Sequence, residues 1–80
     1  MNGSPESHIT VRFEEVERYD PVLDEERLQL MAITNIGTYY ADVPLYGAVS
    51  KRRNRERFHL RVMETIESGA MPGEIEMRDH

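Results

Sequence analysis

The sequence predicts a small α+β domain, in which an N-terminal strand and a central β-hairpin are covered on one face by a C-terminal amphipathic helix. Three observations carry this. Apolar residues alternate from Ile9 through Val11 to Phe13, the period of a half-buried strand. An apolar run over residues 28–34 is separated from a second one over 39–46 by Asn35-Ile36-Gly37-Thr38, a hairpin pattern. Residues 57–68 sort into one apolar and one charged arc at helical spacing. An all-β sandwich that uses residues 57–63 as a further strand is the alternative.

The elements follow in chain order. Residues 1–7 are polar and rich in Gly, Pro and Ser, and are expected to form a disordered terminus. The domain is expected to span 8–69, with 70–80 as a linker or tail. Ile9-Thr10-Val11 sets three β-branched residues in a row, which suits a strand. The alternation fails at Glu14-Glu15, and Ile9, Phe13 and Val16 also fit a helical period. Tyr19-Asp20-Pro21 punctuates the chain, because the residue before proline avoids the helical region.

Residues 24–36 admit two readings. Asp24-Glu25-Glu26 has the form of a helix start, with a capping Asp and acids near the positive end of the dipole. Leu28, Ala32 and Ile36 would then share a face, but Leu30 and Met31 would make that helix apolar nearly all round. The strand reading avoids this and gives the hairpin, with Pro44 marking an edge. In the C-terminal segment, with Phe58 at zero and steps of about 100° per residue, Val62, Ile66, His59 and Met63 fall between about 40° and 140°. Glu64, Arg57, Ser68 and Arg61 fall between about 240° and 300°. Asn54 is the expected N-cap and Gly69 the expected stop. Beyond it, Glu74-Ile75-Glu76-Met77 reads as a short edge strand or a disordered tail.

Composition bounds the function. The chain has 80 residues, a net charge of −5, 39% hydrophobic and 31% charged residues, and a mean hydropathy of −0.64. That length holds one small domain, so barrel and dinucleotide folds are excluded. A core this thin supplies only about 3–5 kcal/mol of net stability, which makes a partner or a second copy of the chain an expected source of help. There is no cysteine, so disulfides, thiolate metal sites and thiol catalysis are excluded. No apolar run approaches the roughly 18 residues of a membrane span, and the start lacks the pattern of a secretory signal. The expected location is cytoplasmic, with no membrane partner.

Motifs for chemistry are missing. There is no Gly-x-Ser-x-Gly, Walker-type loop, His-Glu-x-x-His or Gly-x-Gly-x-x-Gly. His8 and His80 lie near the ends, and His59 sits in the apolar arc of the helix, where a hydrogen-bonded residue at the core margin is the commoner role. Asp20, Asp24, Glu25 and Glu26 lack the alternation and central glycine of a calcium loop. No catalytic residue, metal site or cofactor is expected. Met31 and Met63 read as core filler. Met71 and Met77 lie in the tail, where solvent exposure without function is the favoured reading and docking on a partner the alternative.

One segment rises above background. Residues 51–61 carry Lys51, Arg52, Arg53, Arg55, Arg57 and Arg61 against the single Glu56, a net +5, whereas the rest of the chain carries −10. Arg52-Arg53-Asn54-Arg55-Glu56-Arg57-Phe58 resembles arginine-rich RNA-binding helices, and that resemblance implies phosphate recognition by guanidinium forks. The acidic residues Glu14, Glu15, Glu17, Asp20, Asp24, Glu25 and Glu26 offer another use for the same charge, in cis or across a dimer. A domain with a pI of about 5.1 is unlike a free nucleic-acid binder, for which a pI above about 9 is usual. The expectation is a non-catalytic protein–protein interaction module: a small adaptor, inhibitor or accessory assembly subunit. Arg52, Arg53, Arg55, Arg57 and Arg61 would engage an acidic partner, with Tyr39, Tyr40 and Tyr46 as anchors. Nucleic-acid binding through the 51–61 helix is the alternative.

Overall fold

Strand β1, Val11–Asp20, runs well beyond the point where its alternation fails. It continues because a partner of equal length, β2 (Glu25–Thr34), pairs with it antiparallel over ten residues without a bulge, from Val11 opposite Thr34 to Asp20 opposite Glu25. Strand β3, Gly37–Pro44, pairs with β2, and helix α1, Gly47–Glu67, follows. The computed structural model describes residues 9–77, and its three-stranded sheet runs in the order β1-β2-β3. This is the α+β domain expected from the sequence.

The two turns have separate local causes. At residues 21–24 the Asp20 carboxylate accepts from the amides of Val22 (2.9 Å) and Leu23 (3.2 Å), an Asx turn. Asp24 closes the loop with φ +54, a conformation its short polar side chain tolerates. Asp24 therefore ends a β-turn and caps no helix, which corrects the helix-start alternative. At residues 35–36 the Thr34 hydroxyl donates to the Gly37 carbonyl (2.5 Å) and accepts from the Ile36 amide (3.1 Å). Gly37 has φ +139, and a Cβ there would lie 2.8 Å from Pro72 Cγ. Only glycine meets both demands.

The core is the face of the sheet beneath α1. Leu28, Leu30 and Ala32 of β2 and Tyr39, Ala41 and Val43 of β3 are buried against Phe58 and Val62. Ala32 lies opposite Tyr39 and Ala41 opposite Leu30, so small residues face large ones and leave room for the rings. Phe13 extends the core at β1 and meets Phe58 edge-on, with ring centroids 6.2 Å apart.

Helix α1 starts seven residues before the expected N-cap. Asn54 sits inside it and donates to Ser50 Oγ (3.4 Å), while Tyr46 holds the cap position without a side-chain cap bond. Its end matches expectation. Gly69, φ +81, donates to the Ile66 carbonyl and Ala70 to that of Thr65, the paired bonds of a Schellman stop.

Beyond residue 69, the segment expected as a linker or tail makes contacts with the sheet and core. Tyr40 donates to the Gly73 carbonyl (3.1 Å), and Ile75 donates to the Tyr40 carbonyl (2.7 Å). Residue 74 thus forms a parallel bridge on the outer edge of β3, Ile75 is buried in the core and Met77 packs against it. Of the two readings for 74–77, an edge strand or a disordered tail, the structure shows a single bridge at Glu74 and no fourth strand among the described residues. The expected disordered terminus at 1–7 and the last three tail residues lie outside the described residues. Among those described, no helix is long and apolar enough to cross a membrane.

Candidate functional site

The helical period distributes the basic run around α1. Lys51 and Arg55 lie on the stripe that continues into Phe58 and Val62, so they face the sheet. There they meet Glu15 and Glu17, the β1 residues that alternate inward after Phe13. Arg55 is bidentate on Glu15, with Nε at 2.8 Å and Nη2 at 2.6 Å. Lys51 pairs with Glu17 and lies 3.5 Å from Glu15. The hydrogen bonds from Arg55 hold the Glu15 carboxyl below its ordinary pKa of 4.5 against the opposing effect of desolvation, helped by the charges of Arg55 and Lys51. The same contacts raise the pKa values of Arg55 and Lys51. Part of the charge segregation is thus satisfied within the chain.

The remaining basic residues face elsewhere. Arg52 and Arg53 are exposed and form no ion pair with a described residue. Arg53 and the half-buried Arg57 line a groove of about 450 Å³ along the side of α1 nearest β3. Its other walls include Val43, Pro44, Tyr46, Val49 and Met77. Tyr46 is 74% exposed and Val49 64%. Arg61 lies further along the helix and donates to the Glu76 carbonyl at 3.4 Å, helping to hold the tail.

The tyrosines separate. Tyr39 is fully buried and its hydroxyl donates to the Ala70 carbonyl at 3.3 Å. This corrects its assignment as an anchor, because the inward parity of β3 sends it into the core. Tyr40 is 46% exposed and lies opposite Met31 on the sheet face away from α1. Tyr46 alone joins the arginines at the groove. The methionines depart from expectation as well: Met31 is on that outer sheet face, Met63 is exposed, and Met77 is part of the groove and core margin. His59 is exposed and lies over Phe13, ring centroids 3.7 Å apart.

A second charge network crosses the outer sheet face. Asp42 accepts from Arg18 (2.6 Å) and from Arg27 Nε (2.9 Å), while Arg27 also pairs with Glu25. Desolvation pushes the Asp42 carboxyl up, but hydrogen bonds from the two arginines and their charges overcome this and lower it. These contacts tie all three strands together.

The structure therefore gathers Arg53, Arg57 and Tyr46 into one place, and leaves Tyr39, Tyr40, Arg52, Arg55 and Arg61 outside it. Sequence reasoning missed Val49, and it named Met77 only as a tail residue, not as part of a site with the arginines. Val49 lay ahead of the expected helix start, and Met77 reaches the groove only through the tail bridge. Among the described residues, no three His, Cys, Asp or Glu side chains converge in a way that could hold a metal ion. No family model matches the chain, and neither a curated protein nor a solved structure matches it.

Proposed function

We propose that this protein is a non-catalytic interaction module, a small adaptor, inhibitor or accessory assembly subunit, that binds an acidic segment of a partner protein. The observation that carries the reading is the groove in which exposed Tyr46 and Val49 lie beside Arg53 and Arg57. Tyrosine and arginine beside aliphatic surface is the composition of an interface centre, because rigid rings and guanidinium forks bury area while giving directed hydrogen bonds. The groove is lined by successive turns of α1, from its N-cap residue Tyr46 to Arg57, which suits a chain segment lying along the helix. Acidic residues on that segment would pair with Arg53. A chain without cysteine suits the reducing cytoplasm.

The arrangement is less favourable to nucleic acid. Lys51 and Arg55 are engaged by Glu15 and Glu17, so two of the six cations in the run are already neutralised. The test is capture of partners from the host's own lysate on the immobilised full chain, with and without nuclease, over a salt series. The expected result is an acidic protein whose retention survives nuclease and is lost with Tyr46→Ala. Retention that disappears with nuclease and falls steeply with salt would overturn the reading in favour of nucleic acid.

A further inference from the structure

We infer that the free edge of β1 is a self-recognition surface, through which two copies of this chain join their sheets across a two-fold axis at Val16. Long edge strands invite pairing, and proteins guard them with proline, bulges, shortness or charge. β1 has ten residues, no proline and an unbroken register with β2, and no described strand covers its outer edge. Its only guard is charge, and the order of those charges is self-complementary.

A two-fold axis perpendicular to the sheet pairs β1 antiparallel with its copy and keeps both helices on one face. Residues of equal parity then meet. With Val16 on the axis, Glu14 lies opposite the partner's Arg18 and Arg12 opposite the partner's Asp20. On the helix face, Phe13 lies opposite the partner's Tyr19. Val16 and Tyr19 are both about half exposed in the single chain, so the pairing gives them cover. A two-residue shift one way sets Arg12 on the partner's Arg18. The same shift the other way sets Glu14 on the partner's Asp20. Like charges directly opposite are destabilising, so the Val16 register stands apart from its neighbours.

Two features inside the chain support it. In that register Glu15 faces the partner's Glu17, and these acids are already neutralised by Arg55 and Lys51 of their own chains. A cavity of about 270 Å³ lies at the β1 margin between Phe13, Glu15, Leu30, Arg55, Phe58 and His59. The partner's Tyr19, whose hydroxyl donates to Asp24 of its own chain, would lie opposite Phe13 beside this cavity. Arg18 uses one nitrogen on Asp42 and Arg12 its Nε on Glu14 at 3.0 Å, and a guanidinium has five donors to share. The interface is separate from the groove on the β3 side of α1, so the two readings stand or fall independently.

The chain has no cysteine, which permits a direct test. Val16→Cys brings two thiols together at the axis and is expected to cross-link quantitatively under mild oxidation of the full chain. Arg12→Cys places the thiols about 26 Å apart, eight residues along the ladder, and is expected to stay uncross-linked. Sedimentation equilibrium of unmodified protein is expected to show a dimer. Glu14→Arg should weaken it at least tenfold, and Glu14→Arg with Arg18→Glu should restore it, circular dichroism showing each variant folded. A wild-type monomer at all concentrations, equal cross-linking of both cysteine variants, or a dimer indifferent to Glu14→Arg would overturn the proposal. Should a charge variant fail to fold, the cysteine pair decides alone.

Discussion

Glu15 accepts both nitrogens of the Arg55 fork and lies close to Lys51, although its place in β1 is one where an apolar residue is expected. The strand turns it toward α1, and α1 answers with cations on the same stripe that elsewhere carries Phe58 and Val62. Because its folded pKa lies below the ordinary value of 4.5, Glu15 contributes stability that is fully present above the unfolded pKa and lost as pH falls through the folded one. Asp42 is lowered in the same direction. The melting temperature, followed by circular dichroism, is therefore expected to fall as the solution is acidified below about pH 4.5. Glu15→Gln should cost about 1 kcal/mol or less at neutral pH, the scale of exposed pairs, and should reduce the acid slope without removing the share that belongs to Asp42. An unchanged slope would place the acid sensitivity elsewhere.

At the scale of elements, the tail is the test of how the fold is assembled. Ile75 is buried beneath α1 and its backbone is bonded to Tyr40, so Ile75→Ala is expected to cost about 2–5 kcal/mol in urea unfolding, as for other buried aliphatic truncations. A loss near zero would mean that residues 70–77 add nothing to the domain. No local signal marks this tail as structured, because its bridge to β3 joins residues 34 apart and depends on Gly37 admitting Pro72. The hairpin and the end of the helix were legible, since Gly37, Gly69 and the Phe58-Val62-Ile66 stripe act locally. The start of α1 was not, for Tyr46-Gly47-Ala48 lacks any capping side chain. The length of β1 was hidden by Glu14-Glu15. The clue was present in the helix, where Lys51 and Arg55 fall at about 20° and 60°, within the apolar arc, and must therefore meet acids.

Across the whole molecule, the basic run is divided between two tasks. One part secures α1 over the acidic half of β1, and another part looks outward beside Tyr46 and Val49. The candidate site was legible as a segment but not as a surface, because its walls come from the end of β3, the unforeseen first turn of α1 and the tail. The division predicts opposite consequences for two arginines only two residues apart. The most direct measurement compares Arg53→Glu with Arg55→Glu for partner capture and melting temperature on the same preparations. Arg53→Glu is expected to abolish capture and leave the melting temperature unchanged, whereas Arg55→Glu is expected to lower the melting temperature and, below the new transition, retain capture. Capture that survives Arg53→Glu, or is lost in a folded Arg55→Glu, would contradict the account.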